Sequence, residues 1–381
     1  MSTERTVDQD RLADLFARAQ RDVDAGTLPA CQLAVALDGE LVAEATFGAP
    51  EGSRFHGYSS GKVVVAGAVW LLLGEGKLRP EDRVAEHIPE FGPNDKDTIT
   101  VEQVLTHTSG FPRAPFAPLQ WEDRDARLGR FASWRTNWEP GTRFEYHATS
   151  AHWVLAELIE RAAGQDWRQF VRDRLLEPVG LDHLRFGVPP EDQGDIVDVV
   201  TVGEAPTSAE LEALTGVAGL DLAAFQGEVT DEALISFNRP DVRAVGVPGG
   251  GVITTAGDLA LWYQALLHDP RGLWDPTVLA DGTGNVRCSL PDPMTSAPVN
   301  RTIGVIVRGD DDQIALRGMG RTVSARAFGH NGAGGQVAWG DPGSGMSFAY
   351  LTNGLDRHPI ASARRGAAMS NRAGALMTPG G

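Results

Sequence analysis

A serine and a lysine three residues apart, at the start of an apolar run, are the residues of this sequence best suited to covalent chemistry. Ser59 and Lys62 belong to the quartet Ser-Ser-Gly-Lys, and the mostly apolar residues from 63 to 73 predict a buried helix. Residues three apart lie on the same face of a helix, so the Lys62 amine is expected to reach the Ser59 hydroxyl. Burial lowers the pKa of an amine, and a neutral amine can take the serine proton.

The lysine is unusual in this chain, which has three lysines and 31 arginines. Arginine stays protonated and cannot act as a base. A lysine inside an apolar helix therefore indicates a function that arginine does not supply. The alternative is structural: Ser59 would cap the helix, and the Lys62 side chain would extend towards solvent.

The same serine is the centre of a second motif, because residues 57–61 also match Gly-x-Ser-x-Gly. In an α/β-hydrolase this motif marks a strained turn directly after a strand. Here the nearest strand-like run, 41–47, ends early, and residues 48–55 are predicted to form a turn. We therefore favour the lysine interpretation, although both interpretations make Ser59 the nucleophile.

The composition limits the classes of protein to which the chain can belong. Its 381 residues are 42% hydrophobic, enough for one large core or two smaller ones. A net charge of −17 argues against nucleic-acid binding, which needs clustered lysine and arginine. Cys31 and Cys288 are too few for a disulfide framework. Because the sequence shows no apolar signal segment and no run of 18 apolar residues, we expect a cytoplasmic protein without a membrane span.

Periodic patterns place strands near both ends of the chain and helices between them. Helices are predicted at 11–25, 59–73, 101–106, 149–163, 167–176, 256–267 and 359–373. Strands are predicted at 31–37, 41–47, 302–308, 323–328, 336–339 and 346–351, with a hairpin turn at Asp38-Gly39. Two segments have weaker signals: 189–243 is acidic and is interpreted as a mobile rim over a pocket, and 270–298 is interpreted as loop.

The simplest architecture for this order is an α+β fold. One antiparallel sheet would be built from both chain ends and flanked by helices, beside an inserted, mainly helical domain. Residues 1–78 and 300–381 would form the sheet domain, and residues 79–299 the helical domain with its loop-rich insertion.

Four blocks of the sequence resemble the serine β-lactamase and penicillin-binding-protein superfamily, most closely its class C-like branch and the family VIII carboxylesterases. The resemblance extends from about residue 33 to 353 and implies a β-lactamase/transpeptidase-like fold. The blocks are Ser59-Ser60-Gly61-Lys62, Leu105-Thr106-His107-Thr108-Ser109-Gly110, Pro140-Gly141-Thr142-Arg143-Phe144-Glu145-Tyr146 and Gly329-His330-Asn331-Gly332-Ala333-Gly334-Gly335.

The resemblance implies a role for each matching catalytic residue. Ser59 would be the acylated nucleophile and Lys62 its proton acceptor. Tyr146 would pass a proton to the leaving group and help activate the deacylating water; without the resemblance, a packed ring with a hydrated hydroxyl explains Tyr146 equally well. The backbone N–H groups of Ser59 and Ala333 would form the oxyanion hole.

The chain departs from the family pattern at two places. Ala148 replaces the asparagine of the family's Tyr-x-Asn motif, which removes a donor for Lys62 or for a substrate carbonyl. His330-Asn331-Gly332 stands where many members have Lys-Thr-Gly. The His330 imidazole is either a hydrogen-bond partner of Tyr146 or of a substrate oxygen, or a satisfied core histidine. Gly332 and the neighbouring glycines are expected to let a substrate approach the strand closely.

Other polar and aromatic residues have weaker claims to function. His107, Ser109 and His147 are interpreted as structural, and the three carboxylates at 310–312 as a solvated turn rather than a metal site. Three tryptophans either line an acyl pocket or pack the helical domain, and the sequence leaves both alternatives open: Trp121, Trp134 and Trp138.

We therefore predict a cytoplasmic carboxylesterase that cleaves a small-molecule ester or amide through an acyl-enzyme, without metal or cofactor. Its rivals within the enzyme class are a β-lactamase, a D-amino-acid peptidase and an acyltransferase. The missing signal segment argues against the first two, whose targets normally lie outside the cytoplasm. A catalytically silent protein that binds an acyl ligand is the alternative from a different class; Ser59, Lys62 and Tyr146 argue against it, and Ala148 weakly favours it. The sequence makes no prediction of the oligomeric state.

Overall fold

The computed structural model of the chain describes residues 5–114, 117–121, 123–216, 218–219 and 229–377. Its helices are α1 Gln9–Asp24, α2 Lys62–Gly74, α3 Val84–His87, α4 Val101–Leu105, α5 Arg124–Ser133, α6 Ser150–Ala163, α7 Trp167–Val171, α8 Ser208–Thr215, α9 Asp231–Ile235, α10 Pro240–Val245, α11 Ala256–His268, α12 Pro276–Gly284 and α13 Pro359–Gly374. Its strands are β1 Cys31–Leu37, β2 Glu40–Phe47, β3 Phe55–Tyr58, β4 Arg185–Phe186, β5 Val200–Val202, β6 Val252–Thr254, β7 Ile306–Val307, β8 Phe328–Gly329, β9 Val337–Asp341, β10 Met346–Thr352 and β11 Gly354–Asp356.

The main sheet joins strands from both ends of the chain, as the sequence predicts. Its six strands run antiparallel in the order β2-β1-β10-β9-β8-β7. The β1–β2 hairpin turns at Asp38 and Gly39, which both have positive φ, the conformation of a two-residue hairpin turn. The mixed fold with an antiparallel sheet confirms the predicted α+β class. The proposed domain boundaries stay a prediction.

The two faces of the sheet belong to different apolar cores, because successive side chains of a strand point to opposite faces. Leu33 and Val35 pack with residues of α1 and α13, such as Leu15 and Met369. The small residues between them face the other way, towards α11 and the rest of the molecule. The central strands are thus buried on both faces, which holds β8, β9 and β10 rigidly beside the nucleophile segment.

The helix that begins at Lys62 is apolar on all sides and is buried from residue 62 to residue 72. A helix of this kind belongs in the interior of a protein rather than on its surface. It packs on α6, α7 and α12, so its N-terminus lies between the sheet and the helical part of the molecule.

A short strand, β3, contradicts the prediction that no strand directly precedes Ser59. It pairs antiparallel with β6, and β6 pairs with β4, in a separate three-stranded sheet. With four residues and a bulge at Gly57, β3 is too short to show the alternation of a strand in the sequence. The α/β-hydrolase interpretation still does not fit, because the sheet that leads to the nucleophile is antiparallel.

The predictions for the two segments with weaker sequence signals were partly wrong. The segment predicted as loop contains α12, which begins where the Asp275 carboxylate accepts the N–H groups of Thr277 and Val278 and where Pro276 occupies the first helical position. The segment interpreted as a rim contains β5, α8, α9 and α10; part of it, 217 and 220–228, lies outside the described residues. Across the described ranges, no helix is both long and apolar enough to cross a bilayer.

Candidate active site

The nucleophile segment is a tight turn between β3 and α2. Ser59 begins a single 3₁₀ turn, Ser59–Gly61, and the Ser60 hydroxyl donates to the carbonyl of Gly57 at 2.7 Å. The turn packs closely on β6: a Cβ atom added at Gly61 would lie 2.6 Å from Cβ of Val252. Glycine is therefore required there for space, and the turn has little freedom to move.

The Lys62 amine contacts the Ser59 hydroxyl, as the three-residue spacing predicts. Lys62 is fully buried, and its Nζ lies 3.0 Å from Ser59 Oγ and 2.8 Å from the carbonyl oxygen of Ala148. The carbonyl of Gly249 is its third partner. Two carbonyl oxygens can accept both N–H bonds of a neutral amine, whose lone pair then faces the Ser59 hydroxyl.

The environment of Lys62 favours the neutral form. Burial lowers the pKa of Lys62, the adjacent Tyr146 opposes this shift, and the positive charge of Arg301 acts in the same direction as burial. The structural alternative also fails on geometry. The cap residue of α2 is Gly61 rather than Ser59, no side chain caps the helix, and the Lys62 side chain does not reach solvent.

Lys62 has a hydrogen-bond partner at position 148 even though the asparagine of the family pattern is absent there. The backbone carbonyl of Ala148 holds the Lys62 amine, so the amine does not depend on the missing asparagine. What the alanine removes is an amide that could reach a substrate carbonyl. The replacement therefore affects substrate binding more than it affects the base.

Tyr146 and His330 leave two complementary polar atoms unused. The His330 Nδ1 atom lies 2.9 Å from the carbonyl oxygen of Asn331, which can only accept, so Nδ1 carries the proton and Nε2 is an acceptor. Within the described residues, neither His330 Nε2 nor the buried Tyr146 hydroxyl has a hydrogen-bond partner. The two ring centroids are 5.9 Å apart. His330 is therefore buried but not a satisfied core histidine.

Gly332 lines the cavity and also lies close to the backbone of the nucleophile segment; its expected role in substrate approach stays a prediction. A Cβ atom added there would lie 2.2 Å from the carbonyl oxygen of Gly57, in the nucleophile segment. This close approach of two backbones leaves no room for a side chain at position 332, and Ala333, the next residue, lines the same cavity as Ser59. Ala333 begins a short turn in which Gly334 has a φ of 75°.

A cavity of about 420 Å³ is lined by all of the predicted site residues except Lys62, which is fully buried. Its walls combine the nucleophile, the two rings with unused polar atoms, and apolar side chains from the segment 294–306. Among the residues that line it are Ser59, Phe144, Tyr146, Met294, Pro298, Val299, Arg301, Ile306, His330, Gly332 and Ala333.

Arg301 is the residue of this cavity that the sequence did not reveal. It is 4% exposed, and its guanidinium carbon lies 5.5 Å and 5.3 Å from the ring centroids of Phe144 and Tyr146. Its Nε atom has no hydrogen-bond partner in the described part of the chain. No pattern distinguishes this arginine from the other 30 in the sequence, so only the structure identifies it.

Comparison with known proteins places this geometry in a family. A family model described as Beta-lactamase matches residues 15–371 of the chain. The chain belongs to the beta-lactamase family. This confirms the resemblance described in the sequence analysis. Members of the family are serine hydrolases that act on small esters or amides, and they include esterases, carboxypeptidases and beta-lactamases.

Individual relatives and solved structures are similar to most of the chain. Esterase/beta-lactamase LipL of Mycobacterium tuberculosis is 28% identical over 318 residues, which cover 78% of this chain and 68% of that protein. A penicillin-binding protein homolog from Caulobacter crescentus has a TM-score of 0.79 and 26% identity, covering 97% of this chain and 99% of that one. A family VIII carboxylesterase has a TM-score of 0.77 and 21% identity, covering 97% and 100%, and shares the fold.

The other polar residues lie behind the site as a framework, as the sequence interpretation holds. The His147 imidazole accepts a hydrogen bond from the Ser109 hydroxyl at 3.0 Å, and the backbone N–H of His147 donates to Nδ1 of His107 at 3.1 Å. Trp121 and Trp134 pack within the helical part rather than lining the cavity with Ser59. The described residues contain no group of histidine, cysteine, aspartate or glutamate that could hold a metal.

The carboxylates at 310–312 and the half-buried Trp138 make ordinary contacts within the protein. Asp311 forms an ion pair with Arg317, with 2.6 Å between the closest atoms. The Trp138 indole donates to the carbonyl of Arg143 at 3.1 Å, and it is not among the cavity residues. Neither Asp311 nor Trp138 is among the residues that line the cavity, although Arg317, the partner of Asp311, is.

Buried histidines predict that this fold loses stability in mild acid. Burial lowers the pKa of each of them, to about 3 for His56 and His147. The unfolded chain binds protons on these side chains near pH 6.5 whereas the folded protein does not, so the free energy of unfolding falls as pH drops below about 6.5. Each histidine contributes a loss of up to about 1.4 kcal/mol per pH unit. The five are His56, His107, His147, His152 and His330.

Urea denaturation between pH 7.5 and pH 5 measures this effect. The urea concentration at the midpoint of unfolding should fall steeply below pH 6.5. His268→Gln, at an exposed position, is the control for replacement of a histidine outside the core. A midpoint that stays constant over this range would contradict the neutral, buried state of the histidines.

Proposed function

We propose that the protein is a serine carboxylesterase that cleaves small esters through an acyl-enzyme. The observation that supports this proposal is the contact between Ser59 Oγ and a buried Lys62 amine whose remaining N–H bonds are taken by carbonyl oxygens. The lone pair of an amine held in this way is free to accept the proton of the nucleophile.

Acylation begins when Ser59 Oγ attacks the ester carbonyl carbon and its proton passes to Lys62. The carbonyl oxygen becomes an oxyanion, which the N–H groups of Ser59 and Ala333 stabilise. As the tetrahedral intermediate collapses, the bond to the alcohol breaks and the alcohol oxygen takes a proton by way of the Tyr146 hydroxyl, with Lys62 as its source. The products of this half-reaction are the free alcohol and an ester of Ser59.

Deacylation uses the two unused polar atoms of the cavity. A water placed between the Tyr146 oxygen and His330 Nε2 can donate to the imidazole nitrogen while it attacks the acyl carbon. The proton that His330 receives returns by way of the Tyr146 hydroxyl and Lys62 to Ser59 Oγ, which leaves the acyl carbon as the hydroxyl and restores the enzyme. An alcohol in the place of water would give acyl transfer instead, so competition between added alcohol and water measures that alternative.

The cavity suits esters better than lactams, because it has fewer of the hydrogen-bond donors that hold a lactam in relatives. Ala148 supplies no amide, and His330 supplies an acceptor where many relatives have an ammonium donor. A lost charge-assisted hydrogen bond costs about 1.5–3 kcal/mol. Ester carbonyls need only the oxyanion hole and a good leaving group.

We expect p-nitrophenyl acetate and butyrate to be hydrolysed, with kcat/KM for nitrocefin at least about tenfold lower, the factor that about 1.4 kcal/mol supplies. Ala148→Asn should reduce the difference in kcat/KM between the esters and nitrocefin. Steady-state kinetics on the three substrates test this, together with labelling by a fluorophosphonate probe. Turnover of nitrocefin that equals the best ester would replace the esterase proposal by a β-lactamase, and binding without turnover of any substrate would indicate a silent acyl-binding protein.

Arg301 supports a second candidate, a hydrolase whose substrate carries a carboxylate, as lactams and D-peptides do. The buried Arg301 guanidinium forms no ion pair within the described residues, although Asp292 lines the same cavity, and it can receive a substrate carboxylate there. Arg301→Gln separates the two candidates. It should lower kcat/KM for nitrocefin more than for p-nitrophenyl acetate if the carboxylate candidate is correct, and both equally if Arg301 only packs against Tyr146.

A further inference from the structure

The residue before the nucleophile has a backbone conformation that non-glycine residues rarely adopt. Tyr58 has a φ of 48° and a ψ of −129°, close to the first central position of a type II′ turn, where glycine is preferred. Such conformations persist only where the surrounding structure fixes them, and they concentrate at functional sites. A tyrosine in this place therefore needs contacts that hold it.

The Tyr58 side chain is held on three sides. It is 2% exposed; its ring stacks on His56 with 5.7 Å between centroids, and the edge of Phe237 meets it at 5.5 Å. Its hydroxyl donates to the carbonyl of Leu234 at 3.1 Å. The segment from α9 to residue 237 thus fixes the side chain from one side and β3 fixes it from the other.

Tyr58 is connected to both donors of the proposed oxyanion hole. The N–H of Ser59 lies in the peptide plane that joins it to Tyr58, so ψ of Tyr58 sets the direction of that N–H. Ala333, whose N–H is the second donor, packs against the apolar cluster that contains Tyr58, Leu234 and Leu355. One cluster therefore determines the positions of both donors.

We propose that Tyr58 is a positioning residue for the oxyanion hole: its clamped ring holds the strained peptide that aims the Ser59 N–H and supports Ala333. This inference rests on the proposed acyl-enzyme mechanism. Tyr58 touches no reacting atom, since its hydroxyl is bonded to Leu234. Its effect is on the geometry with which the transition-state charge is stabilised.

Comparing Tyr58→Ala with Tyr58→Gly tests the proposal. Both remove the clamp, but glycine adopts the observed φ and ψ without strain, whereas alanine relaxes and rotates the Ser59 N–H. We expect kcat for p-nitrophenyl acetate to fall about 10- to 100-fold in Tyr58→Ala, part of the loss seen when an oxyanion donor is removed. Tyr58→Gly should lose less, with KM nearly unchanged in both.

The affinity for phenylboronic acid gives a readout that a merely structural role would not change. Its tetrahedral adduct with Ser59 places an oxygen in the hole, so its inhibition constant should rise in parallel with the loss of kcat. Tyr58→Phe, which keeps the ring and loses the bond to Leu234, should give a smaller effect and provides a variant with less risk of misfolding. Tyr350→Phe, a buried tyrosine in the α1–α13 core, is the matched control.

Two results would overturn the proposal. The first is an affinity for phenylboronic acid that is unchanged in folded Tyr58→Ala. The second is a kcat that follows thermal stability alone, so that Tyr58→Gly has no higher kcat than Tyr58→Ala. Failure of the proposed function is a separate outcome, because the wild-type protein would then hydrolyse no ester. Boronate binding still reports on the hole in that case.

Discussion

Replacing Ser59 by alanine should abolish ester turnover and fluorophosphonate labelling while the fold stays intact. Loss of the nucleophile of a serine hydrolase lowers kcat by about 10⁴- to 10⁶-fold. The cost in stability should stay below about 1 kcal/mol, because the Ser59 hydroxyl does not cap α2 and Lys62 keeps its two carbonyl partners. Kinetics with p-nitrophenyl butyrate and a thermal melt measure the two quantities.

Two nearby serines are the controls for this prediction. The Ser60 hydroxyl is bonded to Gly57, and the Ser109 hydroxyl is bonded to His147, so both point away from the cavity. Ser60→Ala and Ser109→Ala should retain labelling by the probe. Intact-mass and peptide analysis that found the probe on either of them would contradict the assignment of Ser59.

Lys62→Arg should lose about as much activity as Lys62→Ala, roughly 10²- to 10⁴-fold in kcat, because arginine keeps the charge but does not accept the serine proton. The neutral amine is the active form, so kcat/KM in the wild-type protein should rise with pH through the Lys62 pKa. Burial lowers that pKa below the usual 10.5, which moves the acid limb of the profile to lower pH. Stopped-flow acylation rates across pH measure both effects.

Chemical rescue and a second buried lysine make this test specific. Small primary amines should partly restore Lys62→Ala, in proportion to their unprotonated fraction. Lys96 is also buried and is bonded to the carbonyls of Pro93 and Trp134, far from the cavity residues. Lys96→Met should lower stability and leave kcat unchanged. If Lys62→Arg kept most of the activity, Lys62 would act only as a charge.

Local features of the site were predictable, because they depend on spacing along one element. The contact between Ser59 and Lys62 follows from the i, i+3 geometry of a helical start, and burial of Lys62 follows from the apolar residues after it. The β1–β2 hairpin was equally clear, since Asp38-Gly39 between two strand-like runs is a strong turn signal. Composition misled where a cap outweighed it, at Asp275 and Pro276.

Features that depend on contacts distant in sequence were not predictable. The unused atoms of Tyr146 and His330 become visible only when the sheet brings residues 146 and 330 to one cavity. Arg301 has no local signature, and the strain at Tyr58 depends on side chains near residue 235. The requirement for glycine at position 332 likewise comes from Gly57, which lies in a different element.

The pairing of β1 with β10 also has a consequence for the growing polypeptide on the ribosome. Ala34 lies opposite Ala349, so the buried strand β1 leaves the exit tunnel long before its partner exists. At about 5–20 residues per second, translation of the intervening 300 or so residues takes roughly 15–60 s. Throughout that interval the apolar face that carries Leu33 and Val35 has no sheet to join. We therefore expect this segment to be exposed to aggregation until β10 is made and the sheet closes.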